Sequence, residues 1–456
     1  MIGFDYGTSN CSVARMVNGQ PQIIPLMIDD NHQSNTIASN LYAPDRDIIC
    51  HWLNQHLSVE QQALFKKSHS LVLQKAQRAL RELNFDGIAT DLLFGKSALE
   101  KYLEDPEEGY YIKSPKSFLG ASGLAPTQIQ LFEDIVAAMM SNVKQLTEAQ
   151  LQREVTQTVI GRPINFQGLH GEESNQQAIT VLTNAAKRVG FKSVEFQYEP
   201  VAAGFEFEAS LQQETRVLVV DIGGGTSDCS MLLMGPEFIN SDDRVQHLLA
   251  HSGVRVAGND FDIQLALQGI MPSLGMHSYL KTGTPMPTAS FYQAVAINNI
   301  NEQTKFYSAK NRRDLIQLAR DAKDSALIER LITVHDHKLS YQLVNAAEQA
   351  KINLSGQDSH LISLTDIDNG LTIEVDNPLF KQANTRTLAS IGELMQSAVK
   401  QAQVQPDVIF VTGGTAKSPV ISDYIQQQMP CTPMVIGDHF GSVTSGLARW
   451  AEQIYR

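Results

Sequence analysis

Asp5, Gly7, Thr8 and Ser9 stand in the phrase IGFDYGTSN at residues 2–10, and Asp221, Gly223, Thr226 and Ser227 answer them in VVDIGGGTSD at residues 219–228. The later copy carries Gly224 and Gly225 as two extra glycines. Each phrase is an apolar strand ending in Asp, then a Gly and Thr-Ser turn, then a second apolar strand. Bare backbone N–H groups in such a turn can approach an anion closely, and a carboxylate at the strand end faces the same space, where it can hold a hydrated cation. One Asp-x-Gly taken alone reads as an ordinary hairpin, because turns favour both residue types. Two in phase predict two related lobes whose turns face each other as a clamp for a metal-bound nucleoside phosphate.

The elements that must position these turns are legible from periodicity. Cys11 to Met16 returns as a strand, Asn18-Gly19 is a hairpin turn, and Gln22 to Met27 pairs behind it, giving a three-stranded meander. Val217 to Asp221 and Cys229 to Leu233 repeat the pattern up to Gly235-Pro236. Pro126 to Gln150 is a long amphipathic helix, followed by a strand Val155 to Gly161, a helix Glu172 to Arg188, a strand near Val194 to Phe196 and a helix from Val201. Further on, Asn259 is placed to cap a helix, and Asp368-Asn369-Gly370 turns a hairpin. Asn377-Pro378 then opens one long helix to about Gln403, and Val408 to Val411 is a buried strand ending at Gly413-Gly414. A helix Ser418 to Gln428, a short strand Val435-Ile436 and a helix through Trp450 follow. Residues 28–110, with a helical stretch Gln61 to Leu83, and residues 270–345 read as peripheral, largely helical insertions.

Strands alternating with helices in both halves predict an α/β protein with lobes at 1–215 and 216–456 and a cleft between them. The 456 residues are 43% hydrophobic and 19% charged, as in a globular protein with a substantial core. The formal charge is −13, from 36 basic and 49 acidic residues, which argues against nucleic acid or an anionic membrane as partner. Cys11, Cys50, Cys229 and Cys431 have no metal-ligand spacing and read as small buried side chains in a reducing compartment. With no apolar run of membrane length and no signal-peptide pattern at the start, a cytoplasmic protein is expected.

IGFDYGTSN, VTQTVIGRPINF, EFQYEPVAAG, VVDIGGGTSD, GNDFD, NAAEQAKINLS and FVTGGTAKSP occur in this order along nearly the whole chain. In that order and wording they resemble the nucleotide-binding domain of DnaK-type heat-shock chaperones. Among these, the short YegD-like members without a peptide-binding domain are the most similar. The resemblance implies a two-lobed actin-like ATPase fold with duplicated ribonuclease-H-like lobes and ATP or ADP with Mg²⁺ in a central cleft. By motif match it places Gly7, Thr8, Ser9, Asn10, Gly223, Gly224, Gly225 and Thr226 on the phosphates. Asp5 and Asp221 then orient Mg²⁺ through water, and Asp228 helps to position the attacking water. Lys116, in SPKSFLG, matches the lysine that reaches the γ-phosphate, and Glu199 matches the glutamate that senses the nucleotide and places water. Arg162-Pro163 matches the proline segment that couples nucleotide state to lobe rotation.

Glu348, Lys351 and Ser355 match the adenosine-contacting helix, although Glu348 and Lys351 on spacing alone are an ordinary surface ion pair. Gly413 and Gly414 match the glycines under the purine and ribose. Lys417 stands where relatives have Arg, and Gly437-Asp438-His439-Phe440 departs from the usual acidic stretch, so nucleotide selectivity is open.

The resulting expectation is a slow, water-directed ATPase whose output is a conformational signal, with nucleotide as ligand and protein partners reached through the insertions. No peptide-binding domain is expected after Trp450. A small-molecule kinase, a nucleotide-gated filament protein and a non-hydrolysing nucleotide sensor share the fold and stay open as alternatives.

Overall fold

The computed structural model describes residues 1–29, 32–105, 108–166, 171–239, 245–437 and 441–455. Two compact units emerge. The first comprises Met1–Arg255, Ile391–Ala416 and Met429–Arg456, and the second Val256–Ser390 and Lys417–Gln428. The boundary expected near residue 215 falls inside the first unit.

Two sheets of the first unit have one plan. In one, Gln20–Ile23, Asn10–Val17 and Ile2–Tyr6 form an antiparallel meander, and Gln157–Arg162 and Ser193–Tyr198 continue it in parallel. In the other, Leu248–Val254, Ser227–Met234 and Thr215–Ile222 form the meander, and Val408–Thr412 and Met434–Ile436 continue in parallel. The central strand of the second sheet is apolar without alternation from Val217 to Val220, as a strand covered on both faces must be. Both expected meanders are therefore present. In the first, however, Gln20–Ile23 pairs, whereas Leu26–Asp29 turns away to pair with His32–Ser34.

The helix Pro126–Leu151 starts with proline at its first position, where no amide hydrogen is needed, and ends at Gln152 in the left-handed region. Phe132, Ile135, Val136, Met139, Met140 and Val143 bury its inner stripe in an extensive apolar cluster, and the Tyr6 hydroxyl donates to Met139 Sδ at 3.5 Å. The helix Ser442–Ile454 closes over the first sheet. Its Gly446 is obligatory, because an added Cβ would stand 1.7 Å from the Ala202 carbonyl oxygen of the helix Glu199–Glu208.

The insertion at 28–110 is less uniformly helical than expected, since Asn40–Ala43 pairs with both Leu93–Phe94 and Tyr110–Lys113. The single helix expected over Gln61 to Leu83 is two, Val59–Ser68 and Ser70–Phe85. They meet at His69, whose buried ring stacks on Phe65 and bonds Asp134 Oδ1 at 3.1 Å.

The second unit is mainly helical, with one hairpin of Ser359–Ser363 against Thr372–Asp376 around the expected Asp-Asn-Gly turn. Two expectations fail in it. Asn259 lies inside the helix Gly258–Leu265, which is capped instead by the Asp260 carboxylate accepting from Ala257 N at 2.9 Å. The long helix from Asn377 is interrupted at Asn384, separating Asn377–Ala383 from Thr385–Ala402. The buried Asn384 amide donates to the Phe380 and Phe261 carbonyls and so holds the break. Among the cysteines, Cys11, Cys50 and Cys229 are buried but Cys431 is exposed, contrary to its reading as a core side chain. No helix of the described residues is long and apolar enough to cross a membrane.

Candidate functional site

The two hairpins occupy the same position in their sheets, between the first and second strands of each meander. Their last cross-strand pairs are Tyr6 with Cys11 and Ile222 with Ser227, so residues 7–10 and 223–226 form turns of equal length. This corrects the alignment by residue type. Gly224 and Gly225 are not insertions: they occupy the places of Thr8 and Ser9, and Asp228 occupies that of Ser12, since Asp5 pairs with Ser12 and Asp221 with Asp228.

The turns meet tip to tip. A Cβ on Gly224 would lie 2.0 Å from Ser9 Oγ, and one on Gly225 would lie 2.8 Å from Thr8 Cγ2. Thr8 and Ser9 of the first turn thus face bare backbone in the second. Within the second turn Gly223 N donates to the Thr226 carbonyl at 3.1 Å, and Thr415 Oγ1 donates to the Gly223 carbonyl at 2.9 Å. The first turn is braced by Ser39, whose hydroxyl donates to the Gly7 carbonyl at 2.7 Å and whose amide donates to the Ser9 carbonyl at 2.8 Å.

Charge gathers around these turns. Lys116, almost fully buried in the 3-10 turn Pro115–Phe118, donates to Glu199 Oε1 at 2.5 Å and to the Gly161 carbonyl at 3.3 Å. Glu199 opens its helix at the end of the strand Ser193–Tyr198. A Cβ on Gly161 would lie 3.2 Å from Glu199 Cγ and 3.6 Å from Asp5 Oδ1, so the two carboxylates flank one small residue. Asp228 Oδ1 accepts from Ile164 N at 3.0 Å, and its carboxylate is also held by the Thr226 hydroxyl.

Burial, and after it the Glu199 charge, raise the Asp5 carboxyl to about 7 against the pull of Lys116. The same two causes raise Asp228 to about 7, opposed by its Ile164 and Thr226 hydrogen bonds and by Lys116. Burial first, then Glu199, Asp228 and Asp5, hold Asp221 well above the usual aspartate range. Four carboxylates therefore share one ammonium group in a poorly solvated space. Proton uptake relieves such a cluster, and so does a divalent cation.

That chemistry fits Mg²⁺ carried by Asp5 and Asp221 through water, since Mg²⁺ keeps several of its waters and meets few carboxylates. Among the described residues, no three His, Cys, Asp or Glu side chains form a direct metal-ligand group.

Gly413 belongs to the same neighbourhood. It has φ +89°, and a Cβ there would lie 2.3 Å from the Ile222 carbonyl and 2.8 Å from Asp221 Oδ1. Gly414 follows it in the first unit. Glu348, Lys351, Ser355 and Lys417 belong to the second unit. There Lys351 pairs with the buried Asp262 at 2.7 Å and donates to the Gly258 carbonyl at 3.4 Å. Ser355 Oγ donates to the Lys351 carbonyl at 3.3 Å. Of the stretch Gly437-Asp438-His439-Phe440, residues 438–440 lie outside the described residues.

Sequence reasoning missed Ser39, Gly161, Ile164 and Ser117. Nothing local marks the first three, which matter through backbone groups or as braces. Ser117 sits beside Lys116 and could have been noticed on that ground.

The family described as Hsp70 protein matches residues 125–266, a span that contains Glu199 and the whole second hairpin. The chain is also 23% identical to heat shock 70 kDa protein 13 of Pongo abelii, over 98% of its own length and 87% of that protein. The chain is similar to Hsp70-type proteins. The Hsp70-type likeness extends to the chaperone protein HscA homolog of Aliivibrio fischeri, 22% identical over 99% of this chain and 58% of that one. Chaperone protein DnaK of Carsonella ruddii is 28% identical over 58% of this chain, which spans 39% of it. The chain thus spans little more than half of the HscA homolog and less than half of the DnaK protein. The likeness to Hsp70-type proteins implies the actin-like ATPase fold, and the mixed α/β architecture with its repeated sheet plan is consistent with it.

Proposed function

We propose that this Hsp70-type chain binds ATP with Mg²⁺ at the two facing hairpins, hydrolyses it slowly, and uses the nucleotide state as a chaperone-like conformational signal. The observation that carries this reading is the charge imbalance at the hairpin tips, where Asp5, Glu199, Asp221 and Asp228 surround Lys116. A buried site of this kind is poorly suited to packing alone and well suited to a cation with a polyphosphate.

When bound, Mg²⁺ supplies charge neutralisation for the phosphate chain. Asp5 and Asp221 hold its water shell. The backbone of Gly7–Asn10 and Gly223–Thr226 grips phosphate oxygens, with hydroxyl contacts from Thr8 and Thr226. Lys116 exchanges part of its bond with Glu199 for the γ-phosphoryl group, which frees Glu199 to orient the attacking water beside Asp228. Asp228, held by the Ile164 amide and the Thr226 hydroxyl, is fixed in place beside that water. Catalysis here is positioning plus electrostatics, and slow turnover follows from the absence of a stronger base in the motif set. Glu348, Lys351, Ser355, Gly413, Gly414 and Lys417 are proposed for the nucleoside. ADP release then loosens the hold on the two hairpin-bearing sheets.

Single-turnover reaction of ATP with the purified chain and Mg²⁺ tests this, with phosphate and ADP followed together. Equal amounts of both, lost in Lys116→Ala and Asp221→Ala, support the ATPase. ADP without phosphate makes the chain a kinase, and bound ATP that never turns over makes it a sensor.

A further inference from the structure

Ser117 follows Lys116 in the turn Pro115–Phe118 and is 5% exposed. Its hydroxyl oxygen is buried and bonds no protein group among the described residues. It is not aimed at a random wall. A Cβ on Gly225 would lie 3.1 Å from Ser117 Oγ and 3.1 Å from Thr8 Oγ1, so two hydroxyls from separate segments converge on the bare backbone at the tip of the second hairpin.

The turn that carries Ser117 is tied to the first hairpin. Ser114, at φ +57°, donates its amide to the Ser39 carbonyl at 2.8 Å, and Ser39 in turn bonds Gly7 and Ser9. Ser117 N donates back to the Ser114 carbonyl at 2.9 Å. The turn that carries the hydroxyl is therefore held in register with the first hairpin through Ser39, which is what a recognition group needs.

A buried hydroxyl without a partner destabilises a fold, and alanine would fill almost the same space without that cost. Its presence here calls for a ligand acceptor. We propose that Ser117 is a phosphoryl-binding residue, donating its hydroxyl hydrogen to an oxygen of the nucleotide's polyphosphate where Thr8, Gly225 and Lys116 converge. This rests on the nucleotide reading above and adds to it a donor supplied from outside the two hairpins. Lys116 brings charge to the phosphoryl group, and Ser117 brings a directional bond.

The test is calorimetric titration of Mg-ATP into the full chain and into Ser117→Ala and Ser117→Cys, with the melting temperature of each protein measured without nucleotide. Cysteine keeps the volume but replaces a strong donor by a weak one. The expected result is Mg-ATP affinity lowered about tenfold or more in both variants, the scale of one hydrogen bond to a charged group. The nucleotide-free melting temperature of Ser117→Ala should be equal to or above that of the parent. Unchanged affinity in Ser117→Ala overturns the proposal, and so does an affinity loss accompanied by a lower nucleotide-free melting temperature, which marks a structural role. A parent chain that binds no Mg-ATP overturns the nucleotide reading itself, and this inference with it.

Discussion

Ser9 and Gly224 meet so closely that a methyl group on Gly224 would stand 2.0 Å from the Ser9 hydroxyl oxygen. One residue along, Thr8 and Gly225 repeat the relation. The two hairpins are therefore complementary: one brings side chains and the other brings backbone. Two such glycine–hydroxyl pairs leave the backbone bare at Gly224 and Gly225, as the phosphate cradle proposed above requires, because backbone amides reach an oxyanion only where no Cβ stands in the way.

Gly224→Ala should therefore destabilise the chain by about 1–3 kcal/mol, the usual cost of overpacking. It should also abolish Mg-ATP binding. Adding Ser9→Ala removes the nearest atom and should restore part of the stability. Thermal melts of the two single variants and the double variant measure the coupling, and simple additivity would show that the two residues do not meet.

Lys116 neutralises Glu199 in a space where little water reaches either group. Lys116→Met takes the ammonium away from the partly buried Glu199 carboxylate and should cost up to about 3 kcal/mol, part of it recovered when Glu199→Gln is added. Denaturant titrations of both proteins check this. In single-turnover hydrolysis both variants should fall about 10²–10³-fold, because refolding the pair does not restore the charge at the γ-phosphoryl group.

Asp5 and Asp228 are raised to about 7 in the fold from an ordinary value of 3.8. A carboxyl raised on folding contributes stability that is complete below the unfolded value and is lost as pH rises through the folded one. Without Mg²⁺ and nucleotide, the melting temperature should fall between pH 5 and pH 8. With Mg-ATP, which favours the ionised carboxylates, the fall should shrink or vanish. A ligand-free chain equally stable at both pH values would contradict the assignment of these shifts.

Lys351 is the partner of a buried aspartate, Asp262, before it is anything else. Lys351→Met removes a charged partner of Asp262 and should lower stability by about 3 kcal/mol, and adding Asp262→Asn should recover part of the loss. Stability of the pair of variants by chemical denaturation gives the answer. Loss of ATP affinity in the double variant at recovered stability would assign the lysine to the nucleoside as well.

The repeated meander was legible because alternating short strands and an Asp-Gly turn leave a local pattern. The equal length of the two turns was not, since matching Thr8 to Thr226 by type hides that Gly224 and Gly225 replace Thr8 and Ser9. Helices with a proline start and an apolar stripe, such as Pro126–Leu151, were readable to within a residue. Breaks made by tertiary bonds were not: neither His69 nor Asn384 is a helix breaker by type, and each is held by partners remote in sequence. The strand Asn40–Ala43 was missed for a related reason, because its pairing with Tyr110–Lys113 spans some 70 residues of chain. In the candidate site, the charged and glycine residues stood out in the motifs. Ser39, Gly161 and Ser117 act through position alone, and position is what a sequence does not display.

The most direct test of the central claim is equilibrium binding of ATP to the full chain with Mg²⁺ and with chelator, beside Asp221→Asn. The account predicts that Mg²⁺ strengthens binding by about tenfold or more, and that Asp221→Asn loses this gain while remaining folded. ATP affinity that is indifferent to Mg²⁺, or a gain that survives in Asp221→Asn, would contradict a metal-nucleotide clamp at the two hairpins.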